Sequence, residues 1–217
     1  MSGGGMQPVP AERGVLPEAQ LYAIFFVSGF AAILYQLIWQ RALFTLYGTS
    51  SEAVTVVVTV FMLGLGLGSL AGGALSRSAR FPLPLLFALA EVVIGAFGLA
   101  SLPLFRWVAS LTPGAAGMQV GLPAFALLLI PTLCMGATLP LLAAYAIARL
   151  HSVGRALGML YFVNTLGSAA GCVAAAVYAF GALGQSGSVQ LAAAANFAAA
   201  AWVIAASRHR ANRPQAR

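Results

Sequence analysis

Aspartate and lysine do not occur in this chain, cysteine and histidine occur twice each, and only 7% of its 217 residues are charged. Each shortage removes a class of function. Cys134 and Cys172 stand singly within apolar runs, where cysteine behaves as a small hydrophobe, and neither has metal-ligand spacing. His151 and His209 lie in arginine-containing loop or tail segments and read as interfacial residues, so no metal site is expected. With no histidine, aspartate or thiol cluster inside the apolar runs, acid–base and nucleophilic catalysis have no carriers. The expectation is a protein that is not an enzyme and holds no cofactor.

What is abundant is apolar. Hydrophobic residues make up 61% of the chain and the mean hydropathy is +0.93, against roughly 45–50% apolar and about 25% charged in soluble domains. A water-soluble fold could not cover that surface, so the solvent for most of the chain is lipid. The formal charge of +7 comes from arginines that sit one to four at a time beside apolar stretches. That is a pattern of membrane orientation, and no segment outside the runs is long enough to form the basic face that nucleic acid requires.

A span of the hydrocarbon core, about 30 Å, takes roughly 20 helical residues. Six runs meet that length, beginning at Leu21, Ala53, Leu83, Val120, Ala156 and Gly187. They must be helices, because lipid leaves no partner for an exposed backbone group and the runs are too long for barrel strands. The expected fold is an all-α integral membrane bundle of about six transmembrane helices over 19–207, between a flexible Gly- and Pro-rich leader (1–18) and a basic tail (208–217). The first run exceeds a signal-peptide core and is read as a retained span.

Six crossings put both termini on one side, together with Arg13, Arg77, Arg80, Arg149, Arg155, Arg208, Arg210, Arg213 and Arg217; the other side keeps Arg41 and Arg106. This bias predicts cytoplasmic termini. The two triplets of spans begin on opposite sides and each has a glycine-rich second member, which suggests a 3+3 inverted repeat. Gly64, Gly68 and Gly72 in the second span, and Gly167 and Gly171 in the fifth, recur every fourth residue and mark faces for close helix packing. GLGLG lies mid-helix without a preceding strand and is no dinucleotide loop.

Ionisable groups in lipid are where function should be sought first. Glu91 lies deep within the third span, about 12 Å below the inner edge; Asn164 reaches about 12 Å, and Thr138 and Asn196 about 15 Å. Four spans therefore contribute a polar side chain to one layer. Two readings stand side by side: a cation or proton site near the midplane, or a neutral Glu91 bonded across the bundle to a partner such as Asn164. Arg41, about 30 Å along its helix, is expected to snorkel to the outer interface or to pair there with Glu52. Pro123, Pro131 and Pro140 are expected to loosen the fourth span.

Several stretches are similar to the membrane half of bacterial fused transporter and spermidine synthase proteins, itself likened to the major facilitator superfamily. They are SGFAAILYQLIWQRALFTLYG, FMLGLGLGSLAGGALSRSAR, LAEVVIGAFGL, PTLCMGATLPLLA and GRALGMLYFVNTLGSAAG, covering most of the chain. The resemblance implies a half-transporter bundle in a bacterial inner membrane, tied to polyamine metabolism, with Arg41, Glu91 and Asn164 at positions that family members tend to share. The synthase half would need a Rossmann-like sheet and aspartates, which this chain does not supply. Two roles follow: a module that moves or handles a polyamine or other small cation, as a homodimer or with a partner chain, or a non-transporting anchor for a separate cytoplasmic synthase.

Overall fold

A computed structural model describes residues 16–47, 50–78, 82–111 and 118–211. It contains α1 (Glu18–Tyr47), α2 (Ser50–Arg77), α3 (Leu83–Leu111), α4 (Met118–Leu150), α5 (Val153–Ala174), a π-helical segment (Ala175–Leu183) and α6 (Gly184–Ala211). No strand occurs among the described residues. Five helical stretches are long and apolar enough to cross a membrane.

The fifth stretch, Val153–Arg208, is 56 residues long, which as a straight rod would run roughly 84 Å. It does not run straight. At Gly184 the backbone takes φ 64° and ψ −170°, a conformation open to glycine and strained for other residues. Asn164 and Asn196, on either side of that glycine, line the same cavity, so the chain folds back between them. The fifth and sixth runs of the sequence are thus joined through one glycine without a loop, and the described helical stretches number five.

The turn between α4 and α5 is nearly as short. His151 has φ 51° and its N–H donates to the carbonyl of Ile147 at 3.0 Å, closing α4 in the left-handed manner usual at helix ends. Ser152 then caps α5 by accepting from the N–H of Arg155 at 3.4 Å. Pro123, Pro131 and Pro140 all lie inside the unbroken α4.

Packing follows the small residues. α2 lies most extensively against α4 and α1 against α5, while α3 packs on α6 and α4, and α6 also on α1. A Cβ added at Gly68 would collide with the carbonyl oxygen of Leu133, and one at Gly72 with Ala137 and Pro140. On the other side of the bundle, Gly167 faces the carbonyl oxygen of Phe26, and Gly171 faces Phe30 and Ile33. Gly64 presses on Thr132. Without a hydrophobic drive between helices in lipid, such backbone approach is what brings dispersion and weak Cα–H···O contacts into play.

Two clusters fill the core. Tyr35, Trp39 and Phe61 anchor the larger; Tyr35 and Trp39 stack at 5.0 Å and Trp39 donates its Nε1–H to Ser101 at 3.0 Å. The smaller gathers Leu16, Leu21, Phe87, Leu142 and Val203. Leu16 is fully buried, donates its N–H to the Tyr145 hydroxyl at 2.9 Å and accepts from Arg149. Residues 16 to 18, assigned to the leader from sequence, are therefore part of the bundle, because a buried leucine and two backbone hydrogen bonds hold them there; residues 1–15 and 212–217 lie outside the described residues.

The described arginines separate by end. Arg155 pairs with Glu18 at 3.5 Å beside Arg149, and Arg77 closes α2, which runs parallel to α4. Arg208 closes the fifth stretch, whose final turns share the Leu16 cluster. Arg41 and Arg106 occupy the opposite end, where Arg106 lines a smaller cavity with Thr45 and Gln185.

Replacing Gly68 or Gly167 with valine forces packed backbones apart and should destabilise the bundle by about 3 kcal/mol, the upper part of the overpacking range. Alanine at Gly66 or Gly73, where an added Cβ meets nothing within 4 Å, should leave stability unchanged. Thermal unfolding in detergent compares the four variants.

Candidate functional site

Glu91 sits on α3 with no exposed surface. Its two oxygens accept separate hydrogen bonds: the Ser28 hydroxyl donates to Oε1 at 2.6 Å and the Asn196 amide to Oε2 at 2.5 Å. The three residues come from α1, α3 and α6, so the carboxyl group ties three helices together. Such charge-capable hydrogen bonds are among the stronger ones available to side chains.

In front of this triad lies a cavity of about 300 Å³. Ser28, Thr138, Asn164 and Asn196 line it, and Glu91 stands one hydrogen bond behind it. The structure therefore brings the four residues of the expected polar layer to one place. Direct pairing of Glu91 with Asn164 is not observed, because the Asn164 amide donates to the Phe25 carbonyl at 3.2 Å instead. Thr138 donates to the Met135 carbonyl at 2.7 Å, within its own helix.

Among the described residues, the buried side-chain polar atoms without a partner are the hydroxyls of Tyr22 and Tyr35 and Oδ1 of Asn196. Only Asn196 also lines the cavity. With Glu91 ionised, turning the amide over would aim two acceptors at each other. A buried carbonyl oxygen without a partner thus belongs to a residue of the cavity wall.

Arg41 takes no part in this site. It is exposed at the opposite end of α1, with its guanidinium 5.2 Å from the centre of the Phe180 ring in the π-helical segment. The side chain of Glu52 lies outside the described residues. Gly64, Gly68, Gly72, Gly167 and Gly171 all stand at close helix contacts, which is a packing role. No group of three His, Cys, Asp or Glu side chains that could hold a metal ion occurs among the described residues.

No family model, curated protein or solved structure matches the chain. The site is therefore read from its own geometry.

Ser28 is the residue that sequence reasoning missed. It lies within the first apolar run, seven residues past Leu21, about 10 Å deep, and the depth count applied to Glu91 would have placed it in the same layer. The second signal overlooked was Ser168, whose hydroxyl donates to the Gly29 carbonyl at 3.1 Å and which lines the cavity.

Asn196→Ala removes one of the two donors to Glu91 and should lower stability by about 1–3 kcal/mol. Adding Glu91→Leu to that variant should cost much less than Glu91→Leu alone. A double-mutant cycle on thermal unfolding measures the coupling, and strictly additive losses would mean that the pair does not interact.

Proposed function

We propose that the chain is a six-crossing inner-membrane protein built as a 3+3 inverted repeat, with both ends cytoplasmic, whose central cavity handles a small cation. Polyamines are the class suggested by the resemblance to the membrane half of transporter and spermidine synthase fusions. The observation that carries the cation reading is Glu91, wholly buried, with both oxygens bonded, directly behind a cavity in the bundle whose wall includes Ser28, Thr138, Asn164 and Asn196. Ionisable groups at that depth are rare, need partners to offset their cost, and mark ion or proton pathways where they occur.

The repeat is supported by the register of the packing. One constant shift carries Phe26, Gly29, Phe30 and Ile33 of α1 onto Leu133, Gly136, Ala137 and Pro140 of α4. A second carries Leu65, Gly68 and Gly72 of α2 onto Asn164, Gly167 and Gly171 of α5. Under these shifts the contacts exchange: Gly68 on Leu133 becomes Gly167 on Phe26, Gly72 on Ala137 and Pro140 becomes Gly171 on Phe30 and Ile33, and Gly136 on Leu65 becomes Gly29 on Asn164. The pairing of α3 with α6 maps onto itself, and α3 on α4 corresponds to α6 on α1. The cavity obeys the same exchange, since Ser28 and Met135, Ala32 and Leu139, Leu65 and Asn164, and Ser69 and Ser168 all line it. Sites at a repeat interface near the midplane are the usual arrangement in secondary transporters.

The orientation rests on the arginines gathered with Leu16 and Glu18 at one end and on the positive-inside bias. In a cysteine-free variant, single cysteines at Ser78 and His151 should be labelled from the cytoplasmic face and one at Ser186 from the opposite face. Labelling of all three from one face would remove the sixth crossing. For the activity, vesicles carrying Glu91→Gln should show polyamine or proton flux reduced at least about tenfold, equivalent to about 1.4 kcal/mol. Unchanged flux would overturn the site.

A further inference from the structure

The cavity is asymmetric in chemistry although its walls are related by the repeat. Ser28 on one wall is replaced by Met135 on the other, and Asn164 by Leu65. One side carries Ser28, Asn164 and Ser168, completed by Asn196, and the facing side carries Leu65, Met135 and Leu139 beside Ser69 and Thr138. A ligand that satisfied both would carry a polar end and a hydrocarbon body.

The polar end can be specified from the protons. The Ser28 hydroxyl is committed to Glu91, the Asn164 amide to Phe25, the Ser168 hydroxyl to Gly29 and the near amide hydrogen of Asn196 to Glu91. Each amide keeps a second N–H, and Gln36, Ser69 and Tyr161 also line the space; among the described lining residues, the buried polar atom without a partner is Oδ1 of Asn196, a residue only 1% exposed. No arginine lines the space, and Glu91 stands behind it. An anion would meet the Glu91 carboxyl group behind the wall, with no cation among the lining residues to offset it. A metal cation would find few ligands placed to surround it, since hard cations take six or more oxygens. Sites that accept hydrogen bonds discriminate strongly in favour of ligands able to donate them. At about 300 Å³ the cavity is at the lower limit of small-molecule pockets, which run from about 300 to 1,000 Å³.

From this we infer that the cavity takes a small primary alkylammonium ion, its N–H groups donating to Oδ1 of Asn196 and to the oxygens beside it, its hydrocarbon body against Leu65, Met135 and Leu139. The inference rests on the cation reading above and narrows it to an N–H donor with an apolar tail.

The test is equilibrium binding to the intact protein in nanodiscs, followed by calorimetry, with n-butylammonium, n-butyltrimethylammonium, potassium and butyrate as probes. Butylammonium should bind, and the trimethyl analogue, which has the same charge and tail but no N–H, should bind at least tenfold more weakly. Potassium and butyrate should not bind measurably. Equal binding of the two butyl cations would overturn the donor requirement while leaving a cation site in place. Binding of potassium alone would overturn the amine assignment, and failure of every cation to bind would overturn both readings. Asn196→Leu in a folded preparation should weaken butylammonium at least tenfold, and no change there would move the ligand away from Asn196. The comparison of probes on the unaltered protein keeps the test decisive if that variant does not fold.

Discussion

The bundle depends on four backbones approaching one another closely enough for carbonyl oxygens to touch glycine Cα atoms. Lipid is as apolar as leucine, so burying a leucine between helices in a membrane removes no water and gains little. Shape is what remains. α2 meets α4 along Gly64, Gly68 and Gly72, and α1 meets α5 along Gly167 and Gly171. These two seams fix the separation and register of α1, α2, α4 and α5, the helices that supply most of the cavity wall.

The same constraint explains why a cavity persists. Helices drawn together at glycine contacts cannot also close every space beside them, and the residues next to each seam, Ser69 beside Gly68 and Ser168 beside Gly167, face that space. α3 and α6 then close the bundle: they pack on each other, with Glu91 bonded to Asn196. Outside, the sequence meets lipid with Leu67, Leu70, Tyr161, Phe162 and Val177. The surface of this protein is thus apolar and its interior carries the polar chemistry, the reverse of a soluble domain.

Composition and run length made the helical, membrane-spanning character legible, because a hydrocarbon core dictates both. The depth count also placed Glu91, Thr138, Asn164 and Asn196 in one layer, since rise per residue is nearly constant in a helix. Three features were not legible by those means. Hydropathy cannot distinguish a turn made by one glycine from a continuing helix, so the joining of the last two runs at Gly184 was hidden. Depth cannot give azimuth, so the partner of Glu91 was named as Asn164 where Ser28 and Asn196 occupy that role. The arginines at the ends could be sorted by side, but their contacts, Arg41 on Phe180 and Arg149 on the Leu16 carbonyl, depend on which helices are neighbours.

One signal was present in the letters and unused. The hexapeptides LGSLAG at 67–72 and LGSAAG at 166–171 differ at a single position, and each carries the glycines and the serine that the two seams require. Under the proposed repeat, equivalent positions lie 42 residues apart from Phe26 to Gly68 (68 − 26) and 34 apart from Leu133 to Gly167 (167 − 133), which disguises the likeness when the chain is compared with itself at one fixed offset. Aligning each helix separately removes that difficulty. Under the proposed repeat, Ser28 against Met135 and Asn164 against Leu65 are among the positions that differ, and both pairs lie on the cavity wall.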